Sequence, residues 1–127
     1  MANLSHNQQI GHIGEDIAAN YVSSELGMTI LERNWMRNNK ELDIIAIKGD
    51  TLRIIEVKSR KESSEDTIAS SLNDKKLRYL IAGASHYASS VRLDGINDIF
   101  FDLVVVIFSD DGSHRVEYTP KFFYPTW

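Results

Sequence analysis

Two short apolar segments on either side of a tight turn constrain the fold of this chain more than any other feature. They span residues 41–47 and 52–58, and the turn between them is Lys48-Gly49-Asp50-Thr51. Short apolar runs that flank a glycine-containing turn are typical of a β-hairpin. Because the turn sets the register of the two strands, the hairpin also predicts which side chains oppose one another.

The predicted hairpin brings acidic side chains together. A turn that is symmetrical about its two central residues places Asp43 directly across from Glu56, and Glu41 across from Lys58. Like charges that face each other in an antiparallel pair destabilise it. We therefore expect a cation between Asp43 and Glu56, which predicts a metal site at the end of the hairpin far from the turn.

Side chains alternate between the two faces of a strand, which divides the hairpin into two faces. The first is almost wholly apolar and contains Leu42, Ile44, Ala46, Arg53, Ile55 and Val57. The second is apolar near the turn, with Ile45, Ile47, Leu52 and Ile54, and polar at the far end, with Glu41, Asp43, Glu56 and Lys58. Two apolar faces need cover, so we predict helices on both sides of the sheet and a polar end open to solvent or a ligand.

The remaining chain supplies both helices and strands. Apolar residues at helical spacing predict one helix over residues 8–25, ended by Gly27, and a second over residues 71–90. Strands are predicted over residues 28–35, 99–108 and 115–118, and polar loops over residues 36–40 and 59–66. The predicted order is αβββαβ plus an edge strand, in a single domain over residues 1–127 with peripheral tails at 1–7 and 119–127.

Gly11 and Gly14 lie inside the first predicted helix, where glycine lowers helix stability. We expect another part of the backbone to approach the helix there. On the second helix, a stripe of apolar residues is predicted to be buried, namely Leu72, Leu77, Leu80, Ile81, Ala84 and Ala88.

The composition is that of an ordinary globular protein, with 43% hydrophobic and 25% charged residues. The chain has no cysteine, which excludes disulfides, thiolate metal ligands and a catalytic thiol. Residues 1–11 lack the basic start and apolar run of a signal peptide, and no apolar stretch approaches membrane-spanning length. These features predict a cytoplasmic protein.

The formal net charge of -4 argues mildly against a nucleic-acid partner, but the basic residues are not evenly distributed. Those near the proposed site in sequence are Arg33, Arg37, Lys40, Lys58, Arg60, Lys61, Lys75, Lys76 and Arg78. They predict a basic rim in which Lys76, Arg60, Arg33 and Arg37 contact nucleic acid. The alternative is that they are ordinary solvent-exposed charges.

The residue types at the hairpin's polar end favour a particular chemistry. Asp43 and Glu56 offer hard oxygen ligands, which suit Mg²⁺ or Mn²⁺ better than zinc. Glu15 on the first helix could complete that set of ligands. Lys58 projects to the same face as Glu56 and could position or deprotonate a water, or neutralise charge on a phosphate.

Several segments occur in an order that resembles a known family. They are Gly11-His12-Ile13-Gly14-Glu15, Glu32-Arg33-Asn34-Trp35, Glu41-Leu42-Asp43-Ile44-Ile45-Ala46 and Ile55-Glu56-Val57-Lys58-Ser59-Arg60, with Ala18, Tyr21, Lys76, Ala84, Tyr87 and Phe101-Asp102 around them. Together they resemble the YraN-like family of small bacterial proteins, within the PD-(D/E)xK superfamily. The resemblance extends over nearly the whole chain up to Val106.

The resemblance implies a restriction-endonuclease-like fold, an α/β fold with an αβββαβ core and a mixed central sheet flanked by helices on both faces. Because the family is similar to archaeal Holliday-junction resolvases, it also implies a metal-dependent DNA endonuclease that cleaves phosphodiester bonds, with branched or junction DNA as a candidate substrate. Glu15, Asp43, Glu56 and Lys58 match its catalytic positions, the first three as metal ligands. Two residues depart from the family pattern: Lys40 replaces glycine, and Phe100 replaces an arginine.

Other functions stay open at the level of sequence. The same fold could serve as a catalytically inert nucleic-acid-binding or scaffolding module, or as a protein-interaction domain that uses its aromatic C-terminal tail. Symmetric cleavage of a junction would need a homodimer, and the sequence does not reveal an interface. Asp102 lies in a strongly apolar strand, so we expect it to be hydrogen-bonded and structural.

Overall fold

The computed structural model describes residues 5–65 and 67–127. Its elements are α1 (His6–Ser24), β1 (Thr29–Arg37), β2 (Lys40–Lys48), β3 (Thr51–Lys61), a short 3₁₀ helix (Ile68–Ser71), α2 (Asp74–Ser90), β4 (Asp98–Phe108) and β5 (His114–Phe123). The predicted αβββαβ order, followed by an edge strand, is confirmed. Neither α-helix in these ranges is long and apolar enough to cross a membrane.

The five strands form one mixed sheet in the order β1-β2-β3-β4-β5. β3 and β4 are parallel, and the other neighbouring pairs are antiparallel. A parallel pair needs a crossover, and α2 lies within the connection from β3 to β4. Because α2 packs on one face and α1 on the other, the sheet is covered on both faces, as predicted.

Each face of the sheet has its own apolar core. On one face, Ala18, Ala19 and Val22 of α1 pack with Ile44, Ala46, Ile55, Val57, Val104 and Val106. On the other face, Leu80, Ala84 and Tyr87 of α2 pack with Leu42, Ile45, Leu52, Ile54 and Phe101. These two cores hold both helices against the central strands.

Local capping explains where the helices begin. Ser5 and Gln8 form a reciprocal capping box, so α1 begins at His6, two residues earlier than predicted. Asn73 accepts a hydrogen bond from the Lys76 backbone N–H at 3.0 Å, so α2 begins at Asp74 and not at residue 71. Gly27 has a φ of 65°, as expected of a glycine that follows the end of a helix.

The register predicted for the hairpin is confirmed near the turn. The pairs run from Lys48–Thr51 to Ile44–Ile55, and the β2–β3 ladder ends there. The predicted pairs of Asp43 with Glu56 and of Glu41 with Lys58 therefore do not form. Leu42 was also assigned to the wrong face, because it packs in the α2-side core with its side chain beside Gly83.

Several strands are longer than the sequence predicted. β3 continues to Lys61, through residues 59–61 that were expected in a loop, because its parallel pairing with β4 continues to Lys61–Phe108. The loop predicted over residues 36–40 is reduced to a turn at Asn38 and Asn39, which both have positive φ. β5 includes residues 119–123, which were assigned to a tail.

The aromatic tail packs back on the domain in part. Phe122 and Phe123 lie against the α2-side core, and the Phe123 ring is 4.8 Å from that of Phe101. Tyr124 and Trp127 stay largely exposed, at 80% and 67%. Phe122 and Phe123 are therefore packed and Tyr124 is exposed, whereas Trp127 is exposed on one side with its ring centroid 6.0 Å from that of Phe101.

Candidate metal centre

Three carboxylates meet where β2 separates from β3. Glu15 of α1 and Glu41 and Asp43 of β2 each offer an oxygen atom, and these atoms lie within 4.8 Å of one another. All three side chains are half-buried. Three acidic groups at this separation repel one another unless a proton or a cation lies among them.

Asn34 of β1 organises two members of this group. Its side-chain amide donates a hydrogen bond of 2.6 Å to Glu41 Oε1 and one of 3.2 Å to Glu15 Oε2. The backbone of Asn34 has a φ of 52°, in the left-handed region that asparagine tolerates better than most residues. The amide therefore fixes the two glutamates at one end of the site.

Where the β2–β3 ladder ends, the Asp43 side chain, and not a backbone carbonyl, accepts the hydrogen bond from β3. Its Oδ2 accepts a hydrogen bond of 2.8 Å from the Val57 backbone N–H. Burial raises the pKa of Asp43 to about 8, with further increases from the Glu56 and Glu15 carboxylates, while the Val57 N–H and Lys76 act in the opposite direction. The Asp43 carboxylate therefore lies where negative charge is costly without a cation.

Glu56 of β3 lies where β2 and β3 are no longer paired, and it is the most deeply buried acidic group of the candidate site. Its side chain is 2% exposed, and its Oε1 lies 3.3 Å from Lys76 Nζ and 3.5 Å from Lys58 Nζ. Its Oε2 is buried and has no hydrogen-bond partner among the residues that the structure describes. A buried acceptor without a partner is uncommon in folded proteins and calls for a specific explanation.

The predicted site residues are thus distributed over two adjoining groups. Glu15 and Asp43 lie in the carboxylate cluster, while Glu56 lies with Lys58 and Lys76. The two groups are coupled, because the Glu56 charge acts on Asp43. Glu41, to which sequence reasoning gave no role, is a full member of the cluster.

The predicted nucleic-acid contacts have different surroundings. Arg33 forms an ion pair of 2.8 Å with Asp16, and Lys76 forms one of 3.3 Å with Glu56. Arg37 is exposed at the end of β1. Arg60 lines a groove of about 550 Å³ whose wall also includes Glu15 and Lys58. The groove therefore opens directly onto the candidate metal centre.

The mixed sheet, its αβββαβ core and the acidic groups at the open end of the hairpin define a protein of restriction-endonuclease-like fold. The chain belongs to the YraN-like family described as "Uncharacterised protein family UPF0102", whose model matches residues 14–106. The matched residues include every member of the carboxylate cluster and Glu56.

Relatives from several bacterial groups align over most of their length. A UPF0102 protein of Bacteroides fragilis is 30% identical over 122 residues, covering 96% of this chain and 98% of the relative. One of Flavobacterium johnsoniae is 32% identical, covering 95% and 98%, and one of Clostridium perfringens is 36% identical, covering 85% and 87%. These names state the family and no activity.

Proposed function

We propose that this chain is a Mg²⁺- or Mn²⁺-dependent endonuclease that hydrolyses DNA phosphodiester bonds, with branched or junction DNA as its candidate substrate. The observation that supports this most is the convergence of Glu15, Glu41 and Asp43 beside the buried Glu56 carboxylate. Oxygen donors grouped in this way are the ligands that Mg²⁺ and Mn²⁺ prefer.

Two properties of the site fit a divalent cation. The buried Oε2 of Glu56 has no hydrogen-bond partner in the part of the chain that the structure describes, and a metal ion would provide one. Burial, together with the neighbouring Glu56 and Glu15 carboxylates, raises the pKa of Asp43 and disfavours its ionised form. A bound cation reverses that balance, because it favours the ionised form of every carboxylate around it.

Each side chain then has a distinct role in the proposal. Glu15, Glu41 and Asp43 would hold the ion, and Glu56 would supply a further oxygen ligand from the adjoining group. Asn34 would fix the orientation of Glu15 and Glu41. When bound, the ion supplies polarisation of the scissile phosphate and activation of a water molecule. The Lys58 ammonium group faces the groove beside Glu56, where it can donate a hydrogen bond to a phosphate oxygen and stabilise its negative charge.

One observation favours the catalytically inert nucleic-acid-binding module instead. Two lysines already contact Glu56 Oε1, and such a network can be purely structural. An inert module would bind DNA with a strong salt dependence and without turnover. Cleavage assays separate the two functions.

The test is incubation of the protein with branched, flapped, single-stranded and linear DNA in Mg²⁺ and in Mn²⁺. We expect cleavage of at least one substrate by the wild type and background cleavage by Asp43→Asn, because the amide cannot replace an anionic ligand. Asp98→Asn is the matched control, since Asp98 is exposed and pairs with Thr51 at the other end of the sheet. Cleavage by Asp43→Asn at the wild-type rate, or by neither protein, contradicts the nuclease function.

A further inference from the structure

An aromatic ring on α2 lies between two lysines from different elements. Tyr79 is 37% exposed, and its ring centroid is 4.5 Å from Lys40 Nζ of β2 and 5.7 Å from Lys75 Nζ of α2. Exposed cation–π contacts of this kind are weak. We call these three residues the Tyr79 patch.

The lysines of the Tyr79 patch form no ion pair with any carboxylate that the structure describes. Within residues 5–65 and 67–127, neither Lys40 nor Lys75 lies within 4.0 Å of a carboxylate oxygen. Arg33 and Lys76, by contrast, are both paired with carboxylates. In a chain with a net charge of -4, two unpaired ammonium groups over one ring form a local positive surface suited to an anionic ligand.

The Tyr79 patch lies on the α2 side of the sheet, beside the buried Glu56 of the candidate site. Lys40 is next to Glu41 in β2, but its side chain contacts Tyr79 of α2, whereas Glu41 meets Glu15 of α1 on the opposite face. Lys75 and Tyr79 share the first two turns of α2 with Lys76, whose Nζ contacts Glu56. A ligand that approaches Glu56 from the α2 side would therefore meet the ring and the lysines. The groove that contains Arg60 is lined by residues from other elements, α1, β3 and the segment after β3.

We propose that the Tyr79 patch binds an unpaired nucleotide of the DNA substrate, with its base stacked on the ring and its flanking phosphates at Lys40 and Lys75. This inference rests on the proposed function and specifies its substrate class. Inside a duplex, neighbouring base pairs cover both faces of each base, so an aromatic side chain stacks there only on a base that is unpaired. A stacked base is worth more than an exposed cation–π contact, so it can displace a lysine from the ring.

The consequence is a preference for DNA with a single-stranded segment next to the cleavage position. Flaps, single-stranded tails and the open arms of a branched molecule provide such a segment, whereas a blunt duplex does not.

The test measures binding in EDTA, where no cleavage occurs, to two DNA probes. One is a duplex with a single-stranded tail that contains 2-aminopurine, whose fluorescence is quenched when it stacks, and the other is the blunt duplex. The variants are Tyr79→Leu, which removes the ring, and Tyr79→Phe, which keeps it as the matched control. Thermal denaturation of both variants checks that α2 is folded.

We expect Tyr79→Leu to bind the tailed probe roughly 5- to 100-fold more weakly than the wild type and to lose the fluorescence quenching. Its affinity for the blunt duplex should be unchanged, and Tyr79→Phe should resemble the wild type with both probes. Equal binding of the tailed probe by Tyr79→Leu and wild type overturns the inference, as does an equal loss for both probes or no DNA binding by the wild type.

The two proposals fail in different ways. Ring-dependent binding of the tailed probe without cleavage in Mg²⁺ or Mn²⁺ supports the Tyr79 patch and contradicts the nuclease function. Cleavage of DNA that does not depend on the Tyr79 ring supports the nuclease function and contradicts the stacking role.

Discussion

At the scale of single residues, Asp102 shows what a buried carboxylate needs in this fold. It is fully buried in β4 and accepts hydrogen bonds from Arg53 at 3.2 Å, the Tyr118 hydroxyl at 2.8 Å and the Lys121 backbone N–H at 2.9 Å. The expectation that it is hydrogen-bonded is confirmed. Because Arg53, Tyr118 and Lys121 donate hydrogen bonds to both of its oxygen atoms, Asp102 is a structural group that links β3, β4 and β5.

Asp102→Ala should therefore destabilise the protein severely. The Arg53 side chain is only 14% exposed, so its charge would remain in the interior without a partner. We expect a loss of about 3–5 kcal/mol in the free energy of unfolding, measured by urea denaturation. Asp98→Ala, an exposed control on the same strand, should change it by no more than about 0.5 kcal/mol. A similar small effect at Asp102 would mean that the buried network is not needed for stability.

Tyr118 gives the same network a dependence on alkaline pH. Burial and the hydrogen bond to Asp102 raise the pKa of Tyr118 above its ordinary value. A group whose pKa is higher in the folded state contributes stability that is present below its unfolded pKa, about 10, and is lost as the pH rises above that value.

We expect Tyr118→Phe to lower the free energy of unfolding by about 1–3 kcal/mol at pH 7, because it removes a hydrogen bond to a buried carboxylate. The difference between wild type and variant should shrink between pH 10 and pH 11.5, since only the wild type loses the Tyr118 contribution there. Urea denaturation at each pH measures both effects. A difference that stays constant over this range would show that the tyrosine titrates normally.

The candidate site was predictable from sequence in part. Asp43, Glu56, Lys58 and Glu15 were identified from the hairpin pattern and the family resemblance, but the role of Glu41 was not. Its position depends on Asn34, which bridges it to Glu15 from a neighbouring strand. An asparagine inside a predicted strand was the only local signal, and side-chain bridges between strands are not visible in the sequence order.

At the scale of elements, the approach of α1 to β3 places Glu15 at the site. A Cβ atom added to Gly14 would lie 1.8 Å from Ser59 Oγ and 3.0 Å from Ser59 Cβ, whereas one added to Gly11 would meet nothing within 4 Å. The predicted close approach is therefore real at Gly14, where the neighbour is a side chain, and wrong at Gly11.

This contrast predicts opposite effects of two similar substitutions. Gly11→Ala should raise the free energy of unfolding by up to about 1 kcal/mol, because alanine favours the helix. Gly14→Ala should lower it by about 1–3 kcal/mol, because α1 must move away from β3. The double variant Gly14→Ala/Ser59→Ala, which removes Oγ, should recover part of the loss. Equal stabilisation by both single substitutions in thermal denaturation would contradict the close packing.

The hairpin shows why element prediction succeeded near the turn and failed beyond it. Register follows from local turn geometry, and the pairs up to Ile44–Ile55 agree with it. Beyond that point the Asp43 carboxylate takes the Val57 N–H, and Leu42 turns to the α2 side, where it lies against Gly83. Both changes arise from tertiary contacts, which two-residue alternation cannot express.

At the scale of the whole molecule, acidic and basic side chains lie close to one another at one end of the sheet. The groove that contains Lys58 and Arg60 is also lined by Glu15 of the carboxylate cluster, and the Tyr79 patch with Lys40 and Lys75 lies on the α2 side of the sheet. Carboxylates repel a polyanion that comes close to them, whereas the basic side chains of the groove and of the Tyr79 patch attract it. Cleavage in this account therefore depends on occupancy of the carboxylates by a divalent ion, whereas binding at the Tyr79 patch does not.

The most direct test is isothermal titration of Mn²⁺ into the wild type, Glu56→Gln and the control Asp98→Asn. Glu56 is the decisive residue, because its Oε1 contacts both lysines, its Oε2 has no hydrogen-bond partner among the described residues, and its charge acts on Asp43 of the carboxylate cluster. The account predicts equal Mn²⁺ affinity for wild type and Asp98→Asn, and at least a roughly tenfold weaker affinity for Glu56→Gln. Absence of Mn²⁺ binding by the wild type, or binding that is unchanged in Glu56→Gln, would contradict it.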